Sequence, residues 1–254
     1  MQIPFLQSPG FSDTGVVRHG FFGRQGGVST GDFASLNVSL AAGDDTENVL
    51  ANRNLVAGEL AGGPLVILRQ VHSSRVVTVE AGALPDAGLE ADALVTRRAD
   101  VLLGILTADC APLLLLDPHA GVIGAAHAGW KGAVGGIMEN TIIAMEKLGA
   151  QRRRILIDIG PTISGRNYEV GPDFMRDAVA VNPNAASAFS TPEGRREHFD
   201  LPRFLREEAL RVGVASVDSR DCCTYADPLH YFSHRYATHQ GTRTGRQVSV
   251  IGLA

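Results

Sequence analysis

A mixed α/β fold, with layered mixed β-sheets flanked by helices, is what this sequence predicts. Three observations lead there. Six short stretches rich in branched or apolar residues follow one another closely between Leu65 and Ala126. Helical patterns stand before and after this run rather than between its members, which argues against a simple doubly wound sheet. The 254 residues are 44% hydrophobic, enough for a sizeable core, and no linker divides them, so 1–254 reads as one domain.

The elements follow in order. Gly15–Phe21 is the first strand, and a glycine-rich loop, Gly23–Gly31, follows it. A helix is expected over Asp45–Ala61, where Asp44 and Glu47 are spaced as in a cap and Val49, Leu50, Val56 and Leu60 share a face. Strands are expected at Leu65–Val71, Val76–Glu80, Ala93–Thr96, Val101–Thr107, Leu113–Leu116 and Val122–Ala126. The last three are nearly all apolar, as in strands covered on both faces. A helix over Ala133–Leu148 closes at Gly149. Ile155–Ile159 reads as a strand, Asp173–Val181 as a helix, and Leu201–Val212 as a helix with Pro202 in its first turn. Pro183–Glu197 is polar and broken by Pro and Gly, hence a loop; Gln247–Leu253 is the last strand.

Composition excludes several classes. A net charge of −4 gives no basic face for nucleic acid. The longest apolar run, Val101–Ala108, stops at Asp109, short of a membrane span, and the N-terminus lacks the pattern of a secretory signal. Three cysteines make no disulfide framework, and adjacent Cys222 and Cys223 match no Cys-x-x-Cys spacing. A soluble cytoplasmic protein with reduced thiols is expected, with no nucleic-acid or membrane partner and no obligate protein partner.

Several familiar motifs fail on context. Gly27-Val28-Ser29-Thr30-Gly31 matches the nucleophile elbow, but a glycine loop precedes it and no helix pattern follows directly. Neither a phosphate-binding P-loop nor the His-Glu-x-x-His zinc motif occurs.

Three residues share a more telling context. His72, Cys110 and His127 each stand just after an expected strand and before loop chemistry. If those strands lie side by side in one direction, their ends place two imidazoles and a thiol on one rim, a donor set suited to zinc. The spacings, 38 and 17 residues, match no local zinc motif, so three separate buried residues is the other reading. Gln70, two before His72, is expected on the same strand face, able to orient a ligand or bond a substrate. Asp109 ends an apolar run, and a carboxylate there needs a partner or a task. The helix beginning near Gly132 offers its positive end to an anion such as phosphate.

At these residues the chain resembles the YfiH family, also called multicopper polyphenol oxidoreductases or laccase-domain proteins. The resemblance rests on Arg18-His19-Gly20-Phe21-Phe22-Gly23-Arg24, Ser35-Leu36-Asn37, Asn52-Arg53, Gln70-Val71-His72 and Ala91-Asp92-Ala93. It continues through Thr107-Ala108-Asp109-Cys110-Ala111-Pro112, Ala126-His127-Ala128-Gly129-Trp130, Gly160-Pro161, Tyr168-Glu169-Val170, Phe232-Ser233-His234-Arg235 and Thr244-Gly245-Arg246. One departure is visible: the family commonly has a second arginine where Tyr236 stands. The resemblance implies a layered α/β domain, similar to the Cys-hydrolase toxin fold, with zinc held by His72, Cys110 and His127. It also implies phosphate-dependent cleavage of adenosine, inosine and methylthioadenosine, with adenosine deamination as a second activity.

Three chemistries then compete. For zinc chemistry on purine nucleosides, Arg53 and the helix end near Gly132 are candidates for phosphate, and Asn37 and Gln70 for nucleoside hydrogen bonds. Asp109 is the candidate acid or base, and Arg235 a further substrate contact. A copper-dependent polyphenol oxidase is the second; copper fits a Cys-His₂ set, but the chain has no His-x-His pair and no methionine close after Cys110 or His127. The third is a Cys–His hydrolase or amidase acting on peptidoglycan precursors, with Cys110 as nucleophile and His127 or His72 as base.

Overall fold

The computed structural model describes residues 3–254. In chain order its elements are β1 (Phe5–Leu6), α1 (Pro9–Ser12), β2 (Val17–Phe22), α2 (Thr46–Glu59), β3 (Leu65–Val66), β4 (Val76–Val79), β5 (Ala93–Thr96), β6 (Leu102–Thr107), β7 (Ala111–Asp117) and β8 (Val122–Ala128). Then come α3 (Trp130–Val134), α4 (Ile137–Lys147), β9 (Leu156–Ile159), α5 (Phe174–Val181), β10 (Phe189–Ser190), β11 (His198–Phe199), α6 (Leu201–Val212), β12 (Ser216–Ser219), α7 (His234–Gln240) and β13 (Gln247–Leu253).

Two mixed sheets result, ordered β1-β2-β13-β6-β3 and β12-β9-β7-β8-β5-β4. Their facing sides bury Phe21, Leu103, Ile105 and Ile251 of the first against Leu94, Leu114, Leu116 and Ile123 of the second. The other side of the second sheet, with Leu113, Leu115, Ile157 and Ile159, packs on Ile137, Ile142, Met145, Phe204 and Leu205 of α4 and α6. The outer side of the first sheet, with Leu102, Val248 and Val250, is covered by Leu36, Val38 and the α2 residue Val56. The layers therefore run helix, sheet, sheet, helix. Every residue of β7 is buried. Successive strand residues face opposite sides, and here both sides are core, so the strand reads as an unbroken apolar run. The layered α/β class read from the sequence is the one observed.

Several boundaries differ from the sequence reading. The helix expected over Ala133–Leu148 is two helices, because Gly136 takes φ +85° and ends α3 before α4 begins. The strand expected over Leu65–Val71 pairs with β6 only through Leu65 and Val66, and further on Arg69 makes an isolated bridge to Glu90. The 183–197 loop carries a short 3₁₀ turn and β10, which pairs with β11. The helix α7 was missing from the sequence reading. Its signals are the cap Ser233, whose Oγ accepts from Tyr236 N, and Gly241 at φ +67°. Ser29 is no elbow nucleophile: its Oγ donates to Asp44 Oδ2 at 2.7 Å and accepts from Asn52 Nδ2 at 2.9 Å, inside a loop. No helix among the described residues is long and apolar enough to cross a membrane.

Leu114 is fully buried between the sheets. Leu114→Ala should lower stability by about 2–5 kcal/mol, read as a lower urea midpoint, because the two sheets cannot close the cavity it leaves.

Candidate metal centre

His127 lies inside β8, where its register partner on antiparallel β7 is Pro112. Its backbone N–H donates to the Asp92 carbonyl at 2.7 Å, and its ring Nδ1 lies 2.8 Å from Asp92 Oδ1. That bond leaves Nε2 for the centre. The fully buried Asp92 carboxylate also accepts from the backbone N–H groups of Val71 (3.2 Å), His72 (2.9 Å) and Ser73 (2.7 Å), and from Ser73 Oγ (2.7 Å). One carboxylate thus orients His127 and clamps the loop that carries His72. His72 itself has φ +61°, in the left-handed region.

Cys110 sits where the chain leaves β6 of one sheet and enters β7 of the other. The preceding Asp109 has φ +86°. Cys110 Sγ is 3.7 Å from His72 Nε2, and the two imidazoles stand edge to face with centroids 4.8 Å apart. One donor atom from each of His72, Cys110 and His127 lies within 4.8 Å of the others. Gly129 leaves room for them: a Cβ there would meet His72 Cδ2 at 2.5 Å and Cys110 Sγ at 3.2 Å.

The three residues do come together, but not on one rim of parallel strands. Cys110 and His127 meet because β7 and β8 are antiparallel, so the start of one adjoins the end of the other. His72 arrives on the connection after β3, which belongs to the other sheet.

The charges are mutually supporting. Burial alone would raise the Cys110 thiol, yet the charge of His127 and hydrogen bonds from His127 and His72 bring it down to about 6. Burial alone would lower His127, yet the Cys110 charge and the Asp92 hydrogen bond raise it to about 9. Burial also pushes Asp92 up, but bonds from His127 and Ser73 outweigh it and hold the carboxyl below the usual range. A thiolate beside two imidazoles, one backed by a carboxylate, is a donor set suited to zinc or copper.

The centre opens on a cavity of about 420 Å³ lined by His72, Asp109, Cys110, Trp130, Tyr168 and Arg235, among others. The Arg235 guanidinium lies 5.4 Å from the Tyr168 ring centre, and its Nη1 donates to the Glu169 carbonyl at 2.7 Å. Asp109 ties the wall together. Its Oδ1 accepts from Thr224 Oγ1 and its Oδ2 from Arg235 N, both at 2.6 Å, and its carbonyl accepts from Thr162 Oγ1 at 2.6 Å.

The other residues singled out in the sequence stand elsewhere. Gln70 lies beyond the end of β3, not on a strand face. Its amide pairs with the Leu106 backbone, Nε2 to the carbonyl at 2.7 Å and Oε1 from the N–H at 2.8 Å. Asn37 is fully buried, and its Oδ1 accepts from Arg246 N at 2.9 Å. Arg53 Nε donates to the Val38 carbonyl at 2.8 Å. None of these three lines the cavity. The helix after His127 starts at Trp130 and has five residues, so its positive end stands closer to the centre than Gly132 suggested. Asp92, Tyr168 and the half-buried Arg246 had no assigned role in the sequence reading. Asp92 carried a signal, a carboxylate between two alanines at the start of a buried strand.

The fold and the donor group together define an α/β protein built on two large mixed sheets, with one Cys-His₂ group suited to holding a metal ion among its described residues. The chain belongs to the YfiH family: residues 18–254 match the family model described as multi-copper polyphenol oxidoreductase laccase. A purine nucleoside phosphorylase of Deinococcus radiodurans is 43% identical, the match covering 99% of this chain and 93% of the relative. One of Corynebacterium glutamicum is 40% identical over 93% of this chain and 94% of its own length. A solved Neisseria meningitidis protein superposes with TM-score 0.87 at 33% identity, covering 100% of this chain and 99% of the other. YfiH of Bacillus licheniformis superposes with TM-score 0.86 at 31% identity, covering 94% and 93%.

In metal-free protein, alkylation of Cys110 followed by peptide mapping should reach half its maximal rate near pH 6, because a depressed thiol gains its thiolate as pH rises through that value. Half-maximal reaction near pH 9 would mean that the thiolate–imidazolium pair does not form. Asp92→Asn should weaken zinc binding by about 10–100-fold in competition with a chromophoric chelator, since the amide no longer fixes the His127 tautomer.

Proposed function

We propose that the protein is a zinc-dependent purine nucleoside phosphorylase that cleaves adenosine, inosine and methylthioadenosine with phosphate and also deaminates adenosine. The observation that carries this reading is the Cys110–His72–His127 group opening on a cavity with an aromatic wall and a guanidinium. Relatives of nearly the same length that bear the phosphorylase name support it. Zinc held by these three residues supplies Lewis acidity at the centre.

The chain's own groups do the rest. In phosphorolysis a phosphate oxygen bonds to the anomeric carbon, the carbon–nitrogen bond breaks, and the departing base takes the electron pair and a proton. Asp109, in the cavity wall beside Cys110, is the residue to move that proton. Tyr168 offers a ring face to the base. Burial and the nearby Cys110 charge push its hydroxyl up, so it stays neutral. Arg235 is placed to hold an anion or the sugar edge. Arg53, with its Nε on the Val38 carbonyl and no place in the cavity lining, acts in this reading as a support and not as the phosphate contact. Asn37 and Gln70 act in this reading by positioning, through Arg246 and the end of β6.

One observation favours a second reading. Cys110, His127 and Asp92 stand in nucleophile, base and orienting order, as a metal-free thiol hydrolase or amidase requires. Peptidoglycan precursors are its proposed substrates. Copper-dependent oxidation of polyphenols ranks lower. Only one three-donor group is present among the described residues, and no methionine lines its cavity.

Adenosine incubated with and without phosphate and resolved by chromatography tests the reading. Adenine with ribose 1-phosphate is expected only when phosphate is present, and inosine reports deamination. Chelation should abolish both and zinc restore them. No product under any condition would overturn the nucleoside reading, and activity surviving complete metal loss would transfer the site to the thiol hydrolase.

A further inference from the structure

The lining of the cavity at Cys110 includes two side chains with a permanent positive charge, Arg235 and Lys131. Lys131 has no part in the chemistry described so far. It is exposed, and its ammonium lies 5.7 Å from the centre of the Trp130 ring. It forms none of the ion pairs found among the described residues. The cavity therefore holds one cation whose charge no carboxylate of the chain takes up.

The two cations stand on one aromatic wall. Phe174 packs against both cavity aromatics, its ring centre 4.4 Å from that of Trp130 and 5.9 Å from that of Tyr168. Lys131 lies over the first ring and Arg235 over the second. The negative face of each ring attracts its cation and limits where that charge can move. The two come from different elements, Lys131 from α3, which follows the strand bearing His127, and Arg235 from α7.

An anion entering this cavity meets the carboxylate of Asp109 in the wall. Arg235 must offset that charge with one nitrogen, Nη1, already donating to the Glu169 carbonyl. Phosphate carries more negative charge than one partly engaged guanidinium can balance, so a second cation is needed. Lys131 is the other permanent cation of the lining.

We propose that Lys131 holds phosphate jointly with Arg235, the ammonium as a compact point charge at the exposed side of the cavity and the guanidinium as a directional fork. The proposal rests on the phosphorolysis reading above and names the residue that binds its second substrate. Lys131 touches phosphate and not the nucleoside, so its loss weakens one substrate and spares the other.

The full-length zinc-loaded protein is compared with Lys131→Gln and Lys131→Arg at constant ionic strength. Adenine release from adenosine, measured against phosphate concentration, is the first readout. Lys131→Gln should raise the KM for phosphate about tenfold, as expected for a lost charge-assisted contact. The KM for adenosine, and kcat at saturating phosphate, should stay within about twofold, the signature of a purely binding contact. Lys131→Arg should recover most of the phosphate KM. Inorganic phosphate alone gives the second readout, without turnover. Trp130 is the only tryptophan and lies beneath the Lys131 ammonium, so its emission should change saturably as phosphate is added. Lys131→Gln should move that midpoint about tenfold higher. An unchanged phosphate KM, a rise in both KM values together, or a Trp130 titration that is flat or has the same midpoint in Lys131→Gln would overturn the assignment. Failure of the nucleoside reading looks different: no adenine forms from any mixture, while the Trp130 response to phosphate still depends on Lys131.

Discussion

The buried carboxylate of Asp92 is the constraint on which the Cys-His₂ group depends. It accepts hydrogen bonds from three successive backbone N–H groups, a hydroxyl and an imidazole. Together these donors offset the desolvation of the buried carboxylate. The bonds run to two different pieces of chain, the loop at 71–73 and strand β8. Asp92 therefore sets the distance between His72 and His127 as well as the tautomer of His127. Without it, His72 would be an exposed histidine on a loop with nothing to aim it.

A second constraint is topological. The chain passes from one sheet to the other between Thr107 and Ala111, and the crossing carries both Asp109 and Cys110. At φ +86° for Asp109 and +61° for His72, non-glycine residues occupy a region that costs about 1–3 kcal/mol each. The surroundings over-determine both conformations: Asp92 holds the backbone at 71–73, and Thr162, Thr224 and the Arg235 N–H converge on Asp109. Asp109 also anchors the start of α7, so the wall bearing Arg235 and the thiol share one support.

Much of the fold was legible. Helix α6 and strand β13 lie where the sequence puts them, because a proline in the first turn, an alternating apolar face and a following glycine are local signals. The apolar runs of β6, β7 and β8 announced strands covered on both sides, and both sides are core. The elements that were missed depend on their neighbours. β12 and the β10–β11 pair are short and half-polar, and they exist because a partner strand satisfies their backbone groups. β3 went the other way: Ile67 and Leu68 are buried like strand residues, but the ladder stops at Val66.

At the metal centre the sequence by itself determined the donor types. Two histidines and a cysteine, each beside an apolar run, could be named before any contact was known, because buried strands impose a composition that stands out from the residues ending them. Only the tertiary structure decided how they meet. An antiparallel pair brings Cys110 to His127, a loop from the other sheet delivers His72, and Asp92 locks the arrangement from 35 positions away. It also moved Asn37 and Gln70 from the expected substrate contacts to backbone supports. The physical reason is that strand period and composition are local properties, whereas register, crossover and hydrogen-bond partner are set by which segments pack together, and no spacing along the chain encodes them.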